Sequence, residues 1–409
     1  MSNPAVLGAI SWEAESSWAE AVDTWATDRV AVLESVDISG LTRDVLEPNR
    51  VVQYRNDGTP YIEGVRGGSF KTKVYWTGHG STMVGSPTIG AHEDFIALAF
   101  GSAANLSASA STTLTGGTAA VPTTTASGTF DAGGLCRVGT LGDGDGNGQV
   151  YAITTNVTTS LTLRGELDGA PANGAVLYPV VQFGVPESPT GGAITGTRLL
   201  IQTANYQVKA RGCFPMSAVT TGLNPGEVPM LEITWGVSWW DWANETFPTT
   251  TASVAGAFNP GAIANGSLNV QDVGTTTRAT RSYRNLTLTH TLGVEPLKGP
   301  GGVGTNQVIV GAMRVPDTIE LEWTEDAGAA STTPTIPGWA LGTFKHVEFT
   351  GSVADGSVFA FACPRMCVAT RPSQAADGNI NRITAKLRAH TSTVTTNALT
   401  LSAIVYGSA

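Results

Sequence analysis

The sequence predicts an all-β protein with one or two short helices, arranged as tandem β-sandwich domains plus a small inserted β-barrel module. Three observations predict it. Glycine is abundant, 49 residues in 409, and with 21 prolines it punctuates the chain at short intervals, as turns between many short strands require. Threonine and valine, which favour a pleated, half-buried surface, recur between those turns. Charged residues make up 14% of the chain against 41% hydrophobic, a balance that buries a sizeable core and excludes a disordered chain. A chain of this length divides into two or three domains.

Residues 1–30 are acidic and Trp-rich, with Trp12, Trp18 and Trp25 spaced six and seven apart. They suit a helix or an arm laid on a neighbouring molecule, or a terminal segment packed on its own core. Strands begin at residues 32–38 and continue through 64–76. There Phe70, Thr72, Val74 and Trp76 fall on one face and Lys71 and Lys73 on the other, the alternation of a half-buried strand. Residues 88–100 read as a helix, capped by Thr88, with Glu93 and Asp94 early and Phe95, Ile96 and Ala99 on one face.

Residues 101–130 are so rich in Gly, Ser, Thr and Ala that they read as a linker with little to pack. Four short strands follow, at 135–138, 150–153, 160–163 and 175–180, separated by glycine-bearing turns; their spacing predicts a small barrel of about 50 residues. Longer strands return at 198–202, 206–210 and 230–237, ending in Trp239, Trp240 and Trp242. Further strands are expected at 286–289, 308–310, 319–323, 383–388 and 399–405.

Shifted by 150 residues, the chain superposes Cys213 on Cys363, Met216 on Met366, Thr220 on Thr370, Ile233 on Ile383 and Thr234 on Thr384. Removing the module leaves two units of about 163 residues, a normal sandwich size. The expected organisation is therefore residues 1–102 with 186–248 as the first sandwich, 103–185 as the inserted module, and 249–409 as the second. One large irregular β domain is the competing reading.

Chemistry is sparse. The chain has no P-loop, no G-x-G-x-x-G after a strand, no H-E-x-x-H and no G-x-S-x-G. His79, His92, His290, His346 and His390 form no ligand spacing. Cys363 and Cys367 make a C-x₃-C with no second pair near it, so Cys136, Cys213, Cys363 and Cys367 read as reduced thiols rather than a zinc site. Asp143, Asp145 and Asn147, with the glycine after them, resemble the first half of a calcium loop, but Thr154 stands where the bidentate acid belongs. A Gly-rich hairpin turn is the preferred reading there. Glu232 with Asp241 and Glu320 with Glu322 read as solvated faces. No catalytic, cofactor-binding or metal residues are assigned, no cofactor is expected, and the chain is read as not an enzyme.

The net charge of −10 argues against a nucleic-acid binder, yet suits a wall that repels DNA and lets it slide. No apolar run of about 20 residues is present to span a membrane, and residues 1–15 lack the basic start of a secretion signal.

The acidic, Trp-bearing opening at 13–22, the run 62–70, the run 208–215 and the closing runs 387–392 and 399–403 together resemble the tail tube proteins of long-tailed bacteriophages. The opening departs from that family's usual W-G-T-A, with Trp18-Ala19-Glu20-Ala21 in its place. The resemblance covers about residues 10–100 and 196–409 and leaves the module outside. It implies a virion structural protein, assembled in the host bacterial cytoplasm, whose sheets join those of neighbouring copies into rings that stack as a hollow tube for viral DNA. Members with a doubled fold form three-subunit rings, the preferred reading here, with six-subunit rings the alternative. Tape measure, tail terminator and tail tip proteins are the implied partners, and DNA transits the lumen without specific binding. The module is expected on the outer wall. A capsid, decoration or fibre subunit, or a carbohydrate-binding or adhesin β-protein, are the alternatives.

Overall fold

The computed structural model describes residues 8–20, 24–25, 29–46, 62–76, 89, 91–100, 105–125, 130–139, 149–167, 169, 171, 173–185, 194–248, 262–275, 279–299, 309–327, 341–353, 358–377, 380–389 and 399–404. Within them the protein is all-β, with one short helix, Ala91–Leu98. The strand Ile62–Tyr75 illustrates how alternation builds the core. Phe70, Thr72 and Val74 are buried, as is Trp76 just past its end, while Lys71 faces out. The helix lays Phe95 and Ile96, both fully buried, against this layer, with Phe95 5.3 Å from Trp12 and 5.8 Å from Trp235 between ring centroids.

Nineteen strands form one hydrogen-bonded sheet system, and its order repeats. In the first half, neighbouring strands run Val30–Leu33, Gly8–Ala14, Thr197–Gln202, Gln207–Thr221, Met230–Val237, Ile62–Tyr75, then Ser35–Asp37 with Leu41–Leu46, all antiparallel. In the second half they run Thr280–Arg281, Ile263–Asp272, Phe344–Val353, Val358–Asp377, Ile380–Ala389, Thr318–Ala327, then Arg284–Thr291. Each strand holds the same place along the chain in both series. Even the last strands match: Trp239–Trp242 pairs with the first part of Gln207–Thr221, and Leu399–Ile404 with the first part of Val358–Asp377.

The register carries the repeat as well. Thr197 opposes Cys213 and Val347 opposes Cys363, so both members of the pair advance by 150 residues. On the next strand the copies diverge. Ala218 opposes Ile233, but Val368 opposes Leu387, four residues further on, and the second copy carries irregularities beside Thr370. The two copies share one hydrophobic core, which runs from Ile10 to Leu387. Trp76 sits where they meet, its ring 6.0 Å from Phe100, 5.6 Å from Phe183 and 5.0 Å from Phe359.

A closed six-stranded barrel interrupts the first copy after the helix. Its strands are Thr112–Gly117, Pro122–Thr124, Leu135–Val138, Val150–Val157, Ser160–Leu163 and Val176–Tyr178, around a separate core that includes Leu114, Tyr151, Ile153, Leu161 and Leu177. Two of these strands lie in the stretch expected to be a linker. That stretch also provides Asn105–Leu106, so the linker reading is corrected: small side chains suffice where Leu114 and Thr112 point inward and bury. The strand expected at 175–180 is divided. Val176–Tyr178 closes the barrel, and after Pro179 the chain leaves it as Val181–Val185, which pairs with Leu399–Ile404 and Asn105–Leu106 of the main sheet. Proline withholds an N–H and keeps the preceding residue extended, which suits such a crossing.

Among the described residues of the opening segment, Gly8–Ala14 is a strand packed on its own chain and none is helical. Trp12 is buried within Gly8–Ala14. The Trp18 indole donates to Ser238 Oγ and the Ile309 carbonyl, and the Trp25 indole to Glu245 Oε2.

Candidate assembly edges

The two copies are stitched together by backbone pairing. Gln207–Thr221 is a strand in two parts. Thr197–Gln202 takes one side of it as far as Cys213; from Ser217 that side is taken over by Arg284–Thr291 of the second copy, with Ser217 opposite Thr291, Ala218 opposite His290, Val219 opposite Thr289 and Thr220 opposite Leu288. The change of partner is built into local sequence. Gly212 adopts φ +57°, and a Cβ there would lie 2.6 Å from Ser238 Oγ. Pro215, which offers no N–H, precedes a register shift before Ser217.

Beside Gly212 lies Glu15, nearly fully buried, whose carboxylate accepts from the Gly212 and Ala19 N–H groups at 2.8 Å each. Burial raises its pKa above the usual carboxylate value, and those hydrogen bonds, with Arg198 and Arg211, only partly offset the rise. Glu15 therefore fixes the point where the long strand exchanges neighbours.

His290 anchors the other strand of the junction. It is buried, stacks parallel to Phe100 at 5.7 Å, and its Nε2 lies 2.9 Å from Asp317 Oδ2. Asp317 also accepts from the Gly293 N–H at 2.8 Å. Burial pushes the Asp317 carboxyl up, but His290, the Gly293 N–H and Arg314 outweigh it and hold the pKa below the ordinary value.

Several strands have one side without a partner among the described strands, Val30–Leu33, Trp239–Trp242 and Thr280–Arg281 among them; two of these open edges correspond in place to the internal junction. Ser35–Asp37 and Leu41–Leu46 pair only with Ile62–Tyr75. Past Val368, Val358–Asp377 pairs only with Ile380–Ala389, because Phe344–Val353 ends opposite Cys367. Burial follows the pairing. At the internal junction Leu286, Leu288, Ala218 and Thr220 are each 2% exposed. At the two ends Val36, Ile38 and Leu41 are only half-buried, and Ala369, Thr370 and Ser373 are exposed.

One face of this sheet is core; the other is polar. Residues opposed across strands share a face, which places Asp37, Lys71 and Glu232 with Lys73 on it in the first copy, and Glu320, Glu322, Lys386 and Arg388 in the second. Asp326, Arg382 and Arg284 continue the same face, and with acids and bases interleaved this face is close to charge balance rather than the acidic wall that the net charge suggests. Lys71 pairs with Glu232 at 2.8 Å and Lys386 with Glu320 at 2.9 Å. The carboxylate hydrogen bond in each pair raises the lysine pKa.

The other residues singled out by sequence are dispersed. His92 donates to the Tyr75 carbonyl at 2.9 Å, and His346 Nε2 lies 2.9 Å from Glu348 Oε1 beneath the barrel. Cys136, Cys213 and Cys363 are buried and Cys367 is half-buried; burial raises the Cys213 and Cys363 pKa values. Among the described residues no group of three or more His, Cys, Asp and Glu is placed to hold a metal. Asp143, Asp145, Asn147, His79, His390 and Thr88 lie outside the described residues. Asp241 pairs with Arg66 at 2.8 Å. The tryptophan cluster does not form a flat platform. Trp240 is buried and donates to the Thr42 carbonyl, Trp239 lies under Arg211 at 4.5 Å, and Trp242, half exposed, meets Trp240 edge-on at 87°.

The barrel is docked on the second copy through polar groups that sequence reasoning missed, since Ile263–Asp272 and Phe344–Val353 mix polar and apolar residues without a clear strand signal. Ala152 N donates to Glu348 Oε1 at 3.2 Å, Val150 N to Thr350 Oγ1 at 3.3 Å, and Gln271 Nε2 to the Arg164 carbonyl at 2.7 Å. No helix among the described residues is long and apolar enough to cross a membrane. No family model matches the chain, and no curated protein matches it.

Proposed function

We propose that this chain is a structural virion protein that polymerises as stacked rings into the hollow tail tube of a tailed bacteriophage, through which DNA passes. The observation that carries the reading is the repeated strand order, joined edge to edge within the chain, with an edge in each copy that corresponds to that junction and has no partner among the described strands. Such edges are a liability in a monomer and are removed when a sheet closes on itself. Two fold copies per chain favour rings of three chains, with six copies around the bore. The polar, charge-balanced face then lines the lumen. Its paired lysines and glutamates present no net charge to hold phosphates, so DNA slides.

Stacking needs a second, open-ended contact. The hairpin of Val294–Lys298 and Ile309–Arg314, which stands outside the main sheet, exposes Leu297, Val310 and Met313 and is suited to it. The test is electron microscopy of the purified protein. Hollow, striated tubes with threefold or pseudo-sixfold rings are expected; dispersed monomers at every concentration would overturn the reading.

A further inference from the structure

The contact between neighbouring chains can be assigned to particular strands. We propose that it is a second copy of the junction already present inside each chain: the edge formed by Ser35–Asp37 and Leu41–Leu46 of one molecule adds, antiparallel, to the edge of Val358–Asp377 beyond Val368 of the next. The partner is another copy of this protein, and the inference rests on the assembly reading above.

The argument is one of equivalence. By place in the sheet and along the chain, Ser35–Asp37 with Leu41–Leu46 corresponds to Arg284–Thr291, because each flanks the same strand of its copy, Ile62–Tyr75 or Thr318–Ala327. Gln207–Thr221 corresponds to Val358–Asp377, and residues 217–220 shift by 150 onto 367–370. In the first copy the side vacated by Thr197–Gln202 is filled by Arg284–Thr291. In the second copy the side vacated by Phe344–Val353 has no partner among the described strands. Met366 pairs with both Lys345 and Ala389, which shows that the two neighbours lie on opposite sides and that the open side is the corresponding one.

The side-chain environments agree. Leu286 and Leu288 are almost fully covered at the internal junction, whereas Val36, Ile38 and Leu41 already touch the core but remain half-covered. An added strand supplies the missing cover. Pro372, with no N–H to give, interrupts this edge beside the register shifts at Thr370, a feature of edge strands rather than of paired interior ones. The two edges are different surfaces of one chain, so the contact is head-to-tail and closes only through several copies.

The test uses the full chain with Cys367→Ser, so that the remaining native thiols are buried. Ser35→Cys protein is mixed in turn with Ala369→Cys, Thr370→Cys and Ser373→Cys protein and oxidised. Paired strands hold Cα atoms within about 4.5–5.5 Å, inside disulfide reach, so one register should yield disulfide-linked dimers about tenfold above Ser35→Cys protein mixed with Asn205→Cys protein. Val219→Cys with Thr289→Cys in one chain calibrates the yield at the internal junction. Tubes or rings that form without cross-linking in any register would overturn the strand assignment and leave the tube reading standing. Cross-linked chains without hollow tubes would support the assignment and overturn the tube. Monomers alone, uncross-linked at all concentrations, would overturn both.

Discussion

Trp76 is the side chain on which the union of the two copies most depends, and replacing it measures that union. It is 6% exposed. Its ring meets Phe100 from the first copy, Phe183 on the strand leaving the barrel and Phe359 on the long strand of the second copy. Its indole N–H donates to Thr220 Oγ1 at 3.2 Å, beside the Leu288 pairing. Truncating a buried tryptophan to alanine costs about 3–5 kcal/mol in lost burial and cavity formation. The abandoned Thr220 hydroxyl adds about 1 kcal/mol. Trp76→Ala should therefore lose about 4–6 kcal/mol, and Trp76→Phe, which keeps most of the ring, about 1–2 kcal/mol. Urea unfolding of dilute protein, followed by both tryptophan fluorescence and far-ultraviolet circular dichroism, gives the measurement. One shared core predicts that both probes report a single transition displaced as a whole. Two separated transitions, only one of which moves, would refute a common core, and a loss under about 1 kcal/mol would refute the keystone role of this residue.

The Asp317 carboxylate should make stability depend on pH. Its pKa is lowered on folding, so its contribution is fully present above the ordinary aspartate value and is lost as pH falls through the lowered one. Asp317→Asn should be less stable by about 1–3 kcal/mol near neutrality and converge with the parent in acid; an equal deficit at every pH would show that the carboxylate's charge is not the source of the loss. Glu348→Ala removes the acceptor of the Ala152 N–H and should loosen the barrel, seen as faster hydrogen exchange across Val150–Val157; unchanged exchange would place the docking energy in the apolar contacts of Leu135 and Val150 instead.

Much of this architecture is legible in the sequence wherever burial is local and periodic. Phe70, Thr72, Val74 and Trp76 declare their strand by alternation, Phe95 and Ile96 declare the helix, and the 150-residue echo of Cys213 in Cys363 marks two strands that prove equivalent. The failures have physical causes. Residues 112–124 read as a linker because a small barrel needs few large side chains, and threonine at its inner positions carries no hydrophobic signal. Trp18 and Trp25 mimic a periodic face, yet each is placed by indole hydrogen bonds in an irregular segment. The assembly edges were beyond reach for a different reason. Val36 and Leu288 look alike in sequence, and only the sheet order reveals that Leu288 has a second neighbour where Val36 has none among the described strands.

That difference also explains why the two copies have not stayed identical in register. Within the chain, Arg284–Thr291 is tethered and always at hand, so its pairing needs no further discrimination. An edge that must find another molecule has to avoid joining wrongly in solution, and natural sheets blunt such edges with irregularities and proline. The second copy carries both where the first carries a regular stretch: the register shifts beside Thr370, and then Pro372. The first copy has its proline and bulge before the junction, at Pro215, and Ser217–Thr220 then pairs without interruption. On the assembly proposed above, divergence is concentrated where one copy meets a permanent partner and the other would meet a partner only on assembly. Regularising the open edge, by Pro372→Val, should accordingly speed association and broaden it into irregular aggregates. If the variant instead assembles into the same particles at the same rate, the irregular edge has no part in controlling association.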